Sequence, residues 1–99
     1  MQQFETTGKT DDQRKKIGQL LRTANARLIH MQLDAGEEVA EHDSPDEVII
    51  LVPTGKVQFN VEGEEIVVDR KSVLQIAPKE RHSLLALENA EVFVFQITP

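Results

Sequence analysis

The chain has 99 residues, 39% apolar and 28% charged, with a net charge of −6. That is the length of one domain and the composition of a folded protein, so a second core and intrinsic disorder are both excluded. It has no cysteine, which removes disulfide frameworks, thiolate metal sites and thiol catalysis.

Residues 1–12 are polar, with Gly8 and the pair Asp11-Asp12, and read as a loosely held lead-in. In 13–22, Ile17, Leu20 and Leu21 have helical spacing and Asp12 is a possible cap, but Gly18 and the shortness of the segment argue against a helix. A strand or strand-like arm is expected there. From residue 26 the pattern is strand after strand. Ala26 to Leu33 alternates, with Ile29, Met31 and Leu33 on one face and Leu28, His30 and Gln32 on the other. Asp34-Ala35-Gly36 is a turn. Val48 to Val52 reads Val-Ile-Ile-Leu-Val, the continuous apolar run of a strand buried on both faces. Pro53-Thr54-Gly55 ends it.

Val57, Phe59 and Val61 alternate with Gln58 and Asn60. Glu62-Gly63 is a tight turn, since glycine takes positive φ without strain, and Ile66, Val67 and Val68 form the return strand. Val73 to Ile76 is stopped by Pro78. Ser83 to Leu87 follows, then a turn at Glu88-Asn89 and a last strand from Val92 to Ile97. Short strands at this spacing, with no long helix among them, predict an all-β sandwich or barrel.

Charge is distributed unevenly. Residues 1–27 carry six Lys/Arg and three Asp/Glu; residues 28–99 carry five and fourteen. An acidic body repels phosphate backbones, and only four aromatics, all Phe, are available for stacking, so no nucleic-acid partner is expected. No apolar run approaches the ~18 residues of a membrane span. The N-terminus Met1-Gln2-Gln3-Phe4-Glu5 lacks a basic region followed by an apolar stretch. No membrane partner is therefore expected, and a cytoplasmic location is. Ser44, Ser72 and Ser83 have no nucleophile-elbow context, and the five glycines form no phosphate loop.

At residues 33–55 and 66–87 the chain resembles a small single-domain cupin. In that family a first motif runs from a Gly through five residues to His-x-His, then a Glu, then a strand ending in Gly. Here Gly36 is followed by five residues and His42, Ser44 stands at the second His, Glu47 lies near the Glu, and Gly55 closes the strand. The second motif passes through a Pro to a His and a strand, matched by Pro78, His82 and Ser83-Leu84. The resemblance implies an all-β double-stranded β-helix, or jelly-roll barrel, over 26–99, preceded by an N-terminal arm over 1–25. It implies a pocket at the barrel mouth lined by His42, Ser44, Glu47 and His82. It also implies a homodimer, with residues 1–25 as the swapped or edge-pairing arm.

Imidazole and carboxylate suit divalent first-row metals, and three or four such ligands are needed for tight binding. His42, His82 and Glu47 are the candidate metal ligands, and a neutral Ser44 hydroxyl in place of an imidazole weakens the set. His30, mid-strand, completes it only if its face points inward. Asp34 to Glu47 holds seven carboxylates and no Lys or Arg, either a negative rim that attracts cations or a solvated loop. Arg81, beside His82, is a candidate for an anionic ligand group or a surface charge. Two functions follow: a module that binds a small polar molecule in the barrel without a complete metal site, or a metal-dependent enzyme of dioxygenase or isomerase type using His42 and His82. A structural domain with a vestigial pocket is the third.

Overall fold

The structure, a computed structural model, describes residues 1–99. Nine strands run in chain order: β1 (Lys15–Arg22), β2 (Ala26–Leu33), β3 (Glu38–His42), β4 (Glu47–Thr54), β5 (Val57–Val61), β6 (Glu64–Val68), β7 (Val73–Ile76), β8 (His82–Ala86) and β9 (Ala90–Ile97). They form a five-stranded antiparallel sheet ordered β1-β2-β9-β4-β7 and a four-stranded one ordered β3-β8-β5-β6. No helix is long and apolar enough to cross a membrane.

The two sheets enclose one core of thirteen buried residues. In β4 the alternation places Val48, Ile50 and Val52 inward, and in β9 Ala90, Val92 and Val94 do the same. Facing them are Val57 and Phe59 of β5 and Leu84 and Ala86 of β8. In β2, Leu33 is buried while Ile29 and Met31 pack against the core, so Leu28, His30 and Gln32 face out.

Backbone geometry explains two turns. Glu62 at φ 50° and Gly63 at φ 82° link β5 to β6 in the left-handed pair that suits the twist of a two-residue hairpin. Gly55 takes φ 80°, and a Cβ there would meet the Asn89 carbonyl oxygen at 2.2 Å. Only glycine lets the β4–β5 and β8–β9 turns approach so closely.

The expected strand over 13–22 is present as β1, paired with the chain's own β2 from Lys15↔Leu33 to Arg22↔Arg27. β3 is the element the sequence did not signal. Its residues Glu-Val-Ala-Glu-His carry one large apolar side chain, and only Val39 packs against the core.

Candidate functional site

β3 and β8 pair so that His42 and His82 are direct cross-strand partners. The register shifts between Val39 and His42. This bulge sets both imidazoles on the side of the sheet that carries Val39 and Leu84. The same row continues through Val61 of β5 to Glu64 of β6. The two rings meet edge to face with centroids 4.3 Å apart. His82 is buried and His42 is exposed.

Each ring is oriented by its own backbone. His42 Nδ1 donates to the Ala40 carbonyl at 2.9 Å, and His82 Nδ1 donates to the Glu80 carbonyl at 3.0 Å. A carbonyl oxygen can only accept, so both Nδ1 atoms carry a proton, and in the neutral form of each ring Nε2 is the acceptor. No buried side-chain polar atom is left without a partner, so the unpaired His82 Nε2 reaches accessible space.

The charge state follows from the surroundings. Burial holds His82 below the ordinary imidazole value of 6.5, against the hydrogen bond it donates to the Glu80 carbonyl, which favours the charged ring; the neighbouring His42 also lowers it. His82 is therefore neutral at pH 7 and acts as a hydrogen-bond acceptor.

The structure turns Glu47 and His30 away from this pair. Glu47 pairs with Ile97 at the start of β4, and its carboxylate accepts from the Gln75 amide on the outward face of the five-stranded sheet. Ser44 serves the β3–β4 loop: its Oγ accepts from Asp46 N–H at 3.1 Å and its carbonyl accepts from Lys79 N–H at 2.7 Å. His30 also faces outward, in register with Phe93 and Gly18, with Nε2 2.7 Å from Glu91 Oε2 and its ring 5.0 Å from that of Phe93. Arg81 points to Glu41 at 3.7 Å, with both side chains largely exposed. Of the acidic stretch, Glu38 and Glu41 line a hollow of about 420 Å³ on the outer face of the four-stranded sheet, together with Asn60, Glu65 and Ser83.

No group of three His, Asp or Glu is placed to hold a metal ion. Two imidazoles fall short of the three protein ligands of a tight divalent site, so the donor set does not fit a cupin-type metal centre.

No protein-family model and no curated protein matches the chain. Solved structures do. An RmlC-like cupin protein from Desulfovibrio desulfuricans superposes with a TM-score of 0.82 and 25% identity, over 94% of this chain and 91% of that one. An RmlC-like cupin family protein with a double-stranded β-helix fold from Methanocaldococcus jannaschii gives a TM-score of 0.83 at 17% identity, over 98% and 90% of the two chains. A variant of salicylate 1,2-dioxygenase from Pseudoaminobacter salicylatoxidans gives 0.79 at 18% identity, over 91% of this chain and 28% of that one. Likeness at this identity is likeness of fold, and function has to be argued from the site.

Proposed function

We propose that this chain, a small single-domain protein of the cupin fold, binds a small polar molecule through the Nε2 atoms of His42 and His82. The observation that carries this reading is the double Nδ1–H···O=C arrangement. It leaves Nε2 as the free acceptor of each neutral ring, on two imidazoles whose centroids lie 4.3 Å apart. Two adjacent acceptors suit a ligand with neighbouring hydroxyl or amine donors, such as a polyol, sugar or hydroxy acid. Burial of His82 strengthens the hydrogen bond it accepts, because less water competes for it.

The rival reading, a metal-dependent cupin enzyme, draws on the same pair. A backbone carbonyl on Nδ1 also orients metal-binding imidazoles. It lacks a third ligand, since Glu47 is held by Gln75 on the outward face of the opposite sheet.

One experiment separates them. Protein purified without chelators is assayed for bound metal, and is screened by ligand-observed NMR against sugars, polyols and small hydroxy acids, as wild type and as His42→Ala/His82→Ala. Ligand binding that is lost in the variant, with metal far below one per chain, is the expected result. A near-stoichiometric metal lost in the variant overturns the binding-module reading and establishes the metal-dependent one.

A further inference from the structure

Arg27 stands at the end of the inward row of β2. Ile29, Met31 and Leu33 of that row belong to the core or pack against it, and the period of two carries Arg27 to the same face. Gln96, its partner in register, ends the inward row Ala90, Val92 and Val94 of β9 in the same way. Arg27 Nε donates to Gln96 Oε1, which fixes the guanidinium at this end of the barrel.

The same end holds the histidine pair. β3 closes on His42, and residues 43–46 lead to Glu47, which opens β4. Glu47 pairs with Ile97, and Ile97 pairs with Ala26 beside Arg27. The mouth therefore carries His42 and His82 on the inner face of one sheet, and Arg22, Arg27 and Gln96 on the inner face of the other. Packed sheets lie ~10 Å apart, a gap that long side chains and a ligand of a few carbons fill.

The charges at this end are unbalanced. Arg22 and Arg27 are direct cross-strand partners, and like charges so placed repel. Neither has a carboxylate within 4.0 Å, although the chain carries 17 acids. Arg81, by contrast, is turned to Glu41. Arg22 and Arg27 border a recess of about 140 Å³, which Asn25, Asp46, Gln96 and Thr98 also line. That is below the ~300–1,000 Å³ of a pocket for a whole drug-sized ligand, and it suits one head group. Two guanidinium charges and the Asp46 carboxylate leave one positive charge over, the complement of a monoanion. The planar guanidinium takes a carboxylate with two parallel hydrogen bonds.

Building on the histidine-pair reading, we propose that this recess holds the carboxylate of the ligand whose hydroxyls donate to His42 and His82. The ligand is then a small monoanionic hydroxy acid, and Arg27 is the residue that selects it over a neutral sugar or polyol. Charge also fixes which end goes where. Asp43 and Glu80 lie close enough to His82 to favour its charged form, so they repel a second carboxylate beside the histidines. The neutral Nε2 acceptors take hydroxyls there, and the anion goes to Arg27.

NMR titration of the full chain at constant ionic strength tests this with two matched pairs, glycerate against glycerol and gluconate against glucitol. Each pair shares its carbon chain and differs in one carboxylate. Each acid should bind about tenfold or more tighter than its polyol. Arg27→Gln should bring the acid down to the polyol and leave polyol binding unchanged. Arg27→Lys, which keeps the charge but not the fork, should keep part of the preference. His42→Ala/His82→Ala should weaken acid and polyol alike. Arg27 is exposed, and far-UV circular dichroism checks that each variant stays folded. Acids that bind no tighter than polyols, or a preference unmoved by Arg27→Gln, overturn the proposal and leave the histidine reading standing. Silence from all four probes also overturns it, and the histidine reading then rests on the wider screen. Acid binding lost in Arg27→Gln but kept in the histidine variant overturns the shared site, because the recess then binds the anion alone.

Discussion

His30 Nε2 lies 2.7 Å from Glu91 Oε2 on the outside of the barrel, beneath the N-terminal arm. This pairing takes His30 out of reach of His42 and His82, which stand on the inward face of the opposite sheet. Ring contact with Phe93 at 5.0 Å and burial to 8% exposure make it a structural residue. His30→Ala should leave ligand binding at the histidine pair unchanged and lower stability by about 1–2 kcal/mol, for one buried hydrogen bond and one ring contact. Calorimetric titration and urea unfolding of the same variant measure both.

The buried member of the histidine pair makes stability depend on pH in one direction. The folded-state value of His82 lies below the ordinary 6.5, so the unfolded chain binds the proton more readily. The contribution of neutral His82 is complete above about pH 6.5 and is lost as pH falls from there through the lowered folded value. Melting temperatures of wild type and His82→Gln from pH 8 to pH 5 should show the wild type losing more stability on acidification. Parallel curves would place the ring in water.

Gly55 is the least replaceable turn residue. A Cβ would stand 2.2 Å from Asn89 O and 2.8 Å from Ala90 Cα, both backbone atoms with no side-chain freedom to yield, and its φ of 80° strains any other residue. Gly55→Ala should cost about 2–4 kcal/mol. Gly63→Ala, with φ 82° but open space around its Cβ position, should cost about 1 kcal/mol. Equal losses in urea unfolding would show that the close approach of the two turns contributes nothing.

Much of the fold was legible because its signals are local. Alternation at Ile29, Met31 and Leu33, the apolar run Val48 to Val52, and the hairpin at Glu62-Gly63 each set a strand or turn within a few residues, and all appear in the structure. β3 was not legible, because it is recruited to the sheet by pairing with β8 and its own residues, Glu-Val-Ala-Glu-His, look like a solvated loop.

The candidate site divides the same way. Sequence by itself determined that His42 and His82 were the pair to watch, and that Ser44 in place of a second imidazole left a thin donor set. Only tertiary structure decided that neither Glu47 nor His30 stands with them. In a strand of period two, one step of register turns a side chain to the other face of the sheet. Val48 faces the core while Glu47, its neighbour, faces out to Gln75. The bulge between Val39 and His42 turns His42 toward His82, a half-step that depends on pairing between residues forty positions apart and that no local pattern encodes.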